Sequence, residues 1–433
     1  MHNSPRLAVL AGLATMLLSA RLVAQATPSG DTLLARLTTE AVTANPALSA
    51  SRAMARAATA RVRPAGALPD PMLEAGIMDL VLPDFAFRRD NFTEVDVQLS
   101  QEFPWPGTLG ARTAAARATA RGQAAGAAAR RREVVVRTAE LYYQLRYVVT
   151  ARATLLRQRQ LLAAAVDIST VRYASTTAPQ SDPLQARVAL ARLDTEEADL
   201  AAQETELRAR LKALRNITGP DSVLVEPIRP EQVPSDLQSA SGTSTGEALE
   251  PVGPDSLPEH PRITARRAQI EAAEQTVRVE QLGARPDLTI MTRYGARPIA
   301  SDFFSAFVGV RIPLYAGRKQ LRLADAARAE AEAARAGLAE EQAALAEEIR
   351  TVRAQIRSGA TRLRLLTDRV VPSAQSTVDA TLRNYRVGQV QFLTVLATED
   401  ALYRARLDAA RVAAEQLTHL ITLEQLLAPE DAS

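Results

Sequence analysis

Residues 93–103 read TEVDVQLSQEF, and this stretch decides how the chain can be built. Apolar side chains at Val95, Val97 and Leu99 alternate with polar or charged ones. Because successive side chains of a strand point to opposite faces, the pattern predicts a strand with one apolar and one polar face. The apolar face needs a cover, which is either a helix or the hydrocarbon of a membrane.

The same alternation returns later, so the sequence predicts two strand pairs, within residues 72–106 and 287–315. Each strand is about 10 residues long, the length that crosses a bilayer when tilted. Ten of the 17 aromatic residues fall in these stretches, mostly at strand ends, where a membrane girdle would place them. A soluble sheet packed on a helix gives the same alternation. The aromatic positions, together with the export signal and the repeat described below, favour a membrane barrel.

Long helical segments surround the strand pairs. Residues 107–173 contain no proline, and apolar residues recur in them every seven positions, which is typical of coiled coils. A similar seam runs through the second half, where Pro372 predicts a kink or a local distortion. The members of the first seam are Val134, Leu141, Val148, Leu155 and Leu162. The predicted helices cover residues 31–66, 107–173, 183–217, 259–284, 318–387 and 390–427.

Landmarks of the first half return in the second half at a nearly constant distance. Asn45 precedes a proline as His260 does, at an offset of 215, and Tyr173 matches Tyr385 at an offset of 212. Steady offsets of this size predict an internal duplication into two large halves. The predicted domains are a first repeat at 27–218, a Pro/Gly/Ser-rich linker at 219–258 and a second repeat at 259–433.

Composition excludes several kinds of chemistry. The chain has 433 residues with no Cys and three His, so it lacks the residues for thiolate chemistry or a His-rich metal centre. No nucleophile elbow, phosphate loop or metalloprotease motif is found, and we predict neither an enzyme nor a cofactor. Residues 1–26 predict a cleaved signal peptide, with Arg6, an apolar run and Ala24-Gln25-Ala26.

Four strands are too few to close a membrane barrel, since about eight is the practical minimum. Open strand edges in lipid would leave backbone groups unpaired, at several kcal/mol each. The sequence therefore predicts an oligomer, and three chains would supply 12 strands.

The order of helix, strand pair, long helix and shorter helix, repeated twice, resembles the TolC family of outer-membrane efflux proteins. The segments that carry this resemblance are LPDPM at 68–72, QEFPWPG at 101–107, VRIPL at 310–314 and YRVG at 385–388. The first two look most like the heavy-metal branch, whose members serve cobalt–zinc–cadmium and copper–silver exporters. The resemblance implies a mainly α-helical chain with membrane β-structure. It also implies a homotrimer in the outer membrane, with a 12-stranded β-barrel and a long periplasmic α-barrel.

The resemblance also implies partners and sites. A periplasmic adaptor and an inner-membrane pump of the proton-driven RND type would join the channel at two tips, at 174–182 and 386–392. The candidate adaptor contacts are Tyr173, Ser175, Tyr385, Val387 and Gly388. The candidate gate residues just above the tips are Asp182, Thr394 and Ala397, and Glu399 and Asp400 are near enough to be further candidates. Asp182 would form an acidic constriction that favours cations; its alternative role is the N-cap of the next helix, which we expect.

In the barrel, alternation places five charged residues toward the lumen: Glu94, Asp96, Glu102, Arg293 and Arg311. The predicted function is a passive outer-membrane conduit for efflux, with heavy-metal cations as a candidate cargo. Two alternatives stay open at this point. One is a periplasmic coiled-coil adaptor or structural protein of an efflux or secretion complex, and the other is the outer-membrane channel of a type I secretion system.

Overall fold

A computed structural model describes residues 31–80, 83, 85–175, 179–221, 223–233 and 259–428. The predicted signal peptide and the part of the predicted linker from 234 to 258 lie outside these residues. The chain divides into two compact units. The helical unit comprises Met1–Thr43, Arg137–Ala248 and Ala354–Thr422, and the sheet unit comprises Ala44–Val136, Leu249–Arg353 and Leu423–Ser433.

The elements follow the predicted order. The helices are α1 (Thr32–Ala44), α2 (Pro46–Ala60), α3 (Val62–Ala65), α4 (Thr108–Ala174), α5 (Ser181–Leu214), α6 (Pro261–Leu282), α7 (Gln320–Leu365), α8 (Val371–Arg386) and α9 (Phe392–Leu427). The strands are β1 (Met72–Met78), β2 (Glu94–Phe103), β3 (Asp287–Ala296) and β4 (Phe303–Arg311). A short 3-10 turn covers Pro230–Gln232, and a π-helix, Leu366–Val370, separates α7 from α8.

The four strands of the sheet unit form one antiparallel sheet in the order β1-β2-β3-β4. Both predicted strand pairs are confirmed, and the strands of the two predicted repeats meet through β2 and β3, where Val97 lies opposite Tyr294. Strand β1 has seven residues, fewer than predicted.

The helical unit is built on the predicted coiled-coil seam. Leu141, Val148 and Leu155 of α4 are buried together with Leu145, in one apolar cluster with residues of α1, α5 and α9. Period-seven spacing keeps these side chains on one side of the helix, so the seam becomes the core of this unit.

Part of the predicted linker packs against the helical unit. Val223, Ile228 and Val233 are buried, and the Ile228 N–H donates to Thr150 Oγ1 at 2.7 Å. Arg146 donates to the carbonyl oxygens of residues 226 and 227 at 3.1 and 3.3 Å. The backbone groups of this Pro-rich stretch are thus partly satisfied by side chains of α4, which composition alone did not indicate.

The first predicted helix is interrupted. Residues 31–66 form three helices, and the first break falls at Asn45, whose backbone is extended with ψ 121°. Pro46 has no N–H to continue the hydrogen-bond ladder of α1, and Asn45 Oδ1 accepts from the Leu48 N–H at 3.0 Å. The distortion predicted at Pro372 is confirmed as the π-helix that precedes α8.

Candidate pore lining and docking surfaces

The sheet has the polarity of a membrane protein. Its apolar face is exposed and its charged face is shielded: Val97 is 42% exposed, whereas the adjacent Asp96 is 8% exposed. The apolar face carries Leu73, Ile77, Val95, Val97, Leu99, Leu288, Ile290, Tyr294, Phe304, Val308 and Val310, all exposed. A soluble sheet would bury this face, so the arrangement favours contact with lipid.

The opposite face brings together all five predicted lumen residues. Arg293 pairs with Glu94 and, through Nε, with Asp96 at 3.2 Å. Arg311 forms a bidentate pair with Glu102 at 2.8 and 2.9 Å. Side chains pair across strands when the register puts them on the same face of the sheet, and the register of β2, β3 and β4 does so for these residues.

Sequence reasoning missed two members of this charged face. Glu74 accepts from Gln98 Nε2 at 3.1 Å, and Asp287 lies 3.8 Å from Arg311. Strand β1 alternates poorly, and the usable signal was the odd-numbered series of Leu73, Ala75 and Ile77. With these additions, five carboxylates face two guanidinium groups in the described sheet, a net charge of three negative.

Helix α8 ends at the tip because Gly388 adopts a left-handed backbone conformation. Gly388 has φ +74°, the Gly388 N–H donates to Tyr385 O at 3.0 Å, and the Gln389 N–H donates to Asn384 O at 2.9 Å. These two bonds form a Schellman motif, a helix ending that favours glycine at the left-handed position because glycine has no Cβ. Val387 is exposed beside it, as are Tyr173 and Ser175 at the end of α4.

Tyr385 does not present its side chain at the tip, which corrects its prediction as an exposed contact. It is 7% exposed, its ring centroid lies 5.5 Å from that of Phe392, and the Arg172 guanidinium lies 4.6 Å above it. Burial raises the pKa of the Tyr385 hydroxyl, an effect that Arg172 opposes. Tyr385 therefore packs between Arg172 of α4 and Phe392 of α9.

The candidate gate residues differ in exposure. Thr394 and Ala397 are exposed on α9, whereas Asp182 is buried in the first turn of α5. The N-cap role that we expected for Asp182 is wrong, because α5 begins at Ser181 and the Asp182 N–H already donates to Pro179 O at 3.2 Å.

A groove of about 670 Å³ runs between α4, α5 and α9 close to the gate candidates. Leu184, Val188 and Leu393 line it and are exposed, and Asp400 and Arg404 pair at 2.9 Å along its rim. Sequence reasoning missed this groove, although the i, i+4 spacing of Leu184 and Val188 near the start of α5 was an available signal.

Two further properties concern ions and membranes. In the described ranges, no three acidic or His side chains come together as possible ligands of a metal ion. In the described part of the chain, no helix combines the length and the apolar character that a membrane span needs.

The fold is that of outer-membrane channels of the TolC type. Residues 252–428 match the family model named "Outer membrane efflux protein". The described chain superimposes on the VceC outer membrane protein of Vibrio cholerae with a TM-score of 0.75, 20% identity and coverage of 91% of this chain and 95% of that one. It superimposes on CusC, whose structure is described in terms of transmembrane channel formation, with a TM-score of 0.77, 14% identity and coverage of 92% and 93%.

A curated relative adds sequence evidence. The pyoverdine export outer membrane protein OpmQ of Pseudomonas putida is 26% identical over 203 residues, 46% of this chain. The chain spans less than half of that relative, 43% of its length. Together with the family match, this supports the resemblance to outer-membrane efflux proteins, and the superpositions confirm the predicted, mainly α-helical fold class.

Proposed function

We propose that the chain is one subunit of an outer-membrane efflux channel, a passive conduit with a periplasmic helical extension. The observation that carries this proposal is the polarity of the sheet, which has an exposed apolar face and ion-paired charges on the opposite face. Lipid would cover the first face, and the second would line an aqueous lumen.

The channel is a trimer in this proposal. Strands β1 and β4 each pair with one neighbour in the described sheet, so each has one open edge. In hydrocarbon an open edge is costly because its N–H and C=O groups have no partner. Joining β4 of one subunit to β1 of the next closes three sheets of four strands into a barrel of 12, and antiparallel order is kept throughout.

The tips are the proposed docking site for a periplasmic adaptor that links the channel to an inner-membrane pump. The exposed side chains of Tyr173, Ser175 and Val387, with the left-handed Gly388, offer a small polar and apolar surface. The groove lined by Leu184, Val188 and Leu393 extends this surface with apolar area that is exposed in the single chain.

For the cargo, we propose cations, including the heavy-metal ions that the sequence resemblance implied. The support is the excess of carboxylates on the charged face, which attracts cations without binding them tightly. The competing cargo is pyoverdine, because OpmQ is by name a pyoverdine export protein. Growth of a deletion strain on cobalt, zinc, cadmium or copper, compared with growth under iron limitation, separates the two.

Cysteine cross-linking tests the trimer cleanly, since the chain has no natural Cys. Ala75→Cys on β1 is combined in turn with Phe304→Cys, Ala306→Cys or Val308→Cys on β4, three registers of one face. We expect oxidation to give dimers and trimers on a denaturing gel in at least one pairing, because disulfides form when Cα atoms come within about 7 Å.

The matched control combines Ala75→Cys with Thr292→Cys on β3, an interior strand, and should stay monomeric. Fractionation completes the test. Extraction only with detergent supports a channel. Recovery of an uncross-linked monomer from the soluble periplasm would instead support the adaptor alternative and contradict the proposal.

A further inference from the structure

The exposed apolar face of the sheet continues beyond the end of β4. Val308 and Val310 are followed in the same even-numbered series by Ile312 and Leu314, and Leu314 is 82% exposed. Tyr315 comes next and is also exposed. The backbone then turns, because the N–H groups of residues 318 and 319 both donate to Tyr315 O, at 2.9 and 3.0 Å.

Cations follow at once. Arg318 and Lys319 are exposed, and neither forms an ion pair with any residue that the structure describes. Arg322, one helical turn beyond Arg318, pairs with Asp325 at 3.3 Å while its side chain stays 76% exposed. Leu321 and Leu323, on either side of Arg322, are also exposed. The segment 312–323 therefore passes from apolar to cationic without becoming wholly polar.

The same edge of the sheet, meaning the end of the strands at which β4 stops, carries the one Trp of the chain. Trp105 follows β2, is partly exposed, and its backbone N–H donates to an Asp287 carboxylate oxygen at 2.9 Å. Because β2 ends and β3 begins at this edge, Trp105 lies at the edge where β4 ends. Trp and Tyr at the limit of an apolar band are typical of the membrane–water boundary.

The charge at this edge differs from that at the other. Exposed Arg285, Arg318, Lys319 and Arg322 outnumber the nearby Asp70 and Asp325. In the described loops at the opposite edge the charges balance, with Arg88, Arg89 and Arg297 against Asp79, Asp90 and Asp302. A positive belt at one edge fits one kind of surface, a leaflet that carries negative headgroups.

We propose that residues 312–323 bind the phosphate headgroups of anionic phospholipids at this edge of the sheet. Ile312 and Leu314 would lie among acyl chains and Tyr315 at the boundary, while Arg318, Lys319 and Arg322 contact the phosphates. Long cationic side chains suit this position because their apolar stems follow the apolar surface and their charges stay in water. The proposal rests on the proposed function only in that the sheet spans a bilayer.

Trp105 provides the assay. The full-length protein is reconstituted in phosphatidylcholine bilayers that contain increasing brominated phosphatidylglycerol or, in a parallel series, brominated phosphatidylcholine, and Trp fluorescence quenching is measured. We expect brominated phosphatidylglycerol to quench at a lower mole fraction, with a preference of about fivefold for each cation in contact with a headgroup.

The triple variant Arg318→Gln/Lys319→Gln/Arg322→Gln should bring this preference close to one. The matched variant Arg88→Gln/Arg89→Gln/Arg297→Gln, at the other edge, should keep the wild-type value. Quenching by brominated phosphatidylcholine shows that each variant is inserted. Equal quenching by both lipids in the wild type, or an unchanged preference in the triple variant, would overturn the lipid site. An absence of quenching by either lipid would instead count against the membrane position of the sheet.

Discussion

Protonation of His260 should loosen the start of α6. The His260 side chain is 3% exposed, and its Nδ1 accepts from the Arg262 N–H at 3.2 Å, which caps the helix. Burial lowers the pKa of His260 from 6.5 to about 4, and the nearby guanidinium groups of Arg132 and Arg262 act in the same direction. A proton on Nδ1 would remove the acceptor and place a third cation beside two others.

The sign and size of the effect follow from this pKa. Because the folded pKa lies below the unfolded value, the stabilisation from neutral His260 is complete above about pH 6.5 and is lost as the pH falls toward 4. With these two values, the loss between about pH 7.5 and 5 is about 2 kcal/mol, and its limit at lower pH is about 3 kcal/mol.

His260→Asn isolates this effect. Asn45 holds the matching position of the predicted first repeat and caps α2 through Oδ1, so Asn supplies the same acceptor without a titrating group. Hydrogen exchange of peptides covering residues 259–270, corrected for intrinsic rates, reports the local stability of α6 in the detergent-solubilised protein. We expect protection in the wild type to fall about 30-fold between about pH 7.5 and 5, while the variant changes little. The same fall in both proteins would refute the role of His260.

Two other substitutions test the packing of the helical unit, by thermal unfolding followed by circular dichroism. Arg215→Met leaves the carboxylates of Glu40 and Asp221 without their buried partner and should cost about 3–5 kcal/mol, whereas Arg210→Met at the exposed pair with Glu206 should cost under about 1 kcal/mol. Similar losses in both variants would contradict the importance of burial. Gly359→Ala places a Cβ against the Gln416 side chain, whose Nε2 donates to Gln355 O at 3.2 Å, and should destabilise by about 1–3 kcal/mol. Gly337→Ala, on the same helix with Arg266 Nη1 as the nearest atom at 4.0 Å, should stabilise by about 1 kcal/mol, so a stabilising Gly359→Ala would show that the close contact is absent.

The parts of the fold that sequence predicted well are those governed by a strict period. Alternation in 94–103 identified both the strand and its charged face, because a period of two leaves one register that separates Glu94 and Asp96 from Val95 and Val97. Seven-residue spacing likewise identified the buried seam of α4. Helix ends marked by Pro or Gly were predicted within about three residues, except at Asn45.

The parts that were missed depend on contacts between distant residues. Nothing local in 223–233 shows that Arg146, about 80 residues earlier, would bond to its carbonyl groups. The burial of Tyr385 likewise requires Arg172 and Phe392 at once. Asp182 was misassigned because Asp-Pro is a common helix start, and a helix that begins two residues earlier puts the same carboxylate inside the first turn.

The π-helix adds one residue to the heptad spacing of the buried seam in the second long segment, and the seam continues beyond it. Heptad counting runs correctly to Leu363, which is buried, and then places Val370 in the seam, yet Val370 is 45% exposed. The seam resumes at Val378 and Tyr385, so 15 residues separate Leu363 from Val378 where two heptads would need 14. A π turn holds one residue more than an α turn, and it also accommodates Pro372, which cannot donate a hydrogen bond. The offset between the predicted repeats rises from 209 at Phe103 to 212 at Tyr173, and the three added residues lie before α7, because α4 and the stretch from Gln320 to Arg386 have the same length. The π turn shifts the seam by one residue within a stretch of unchanged length and brings Val378 and Tyr385 to the buried side.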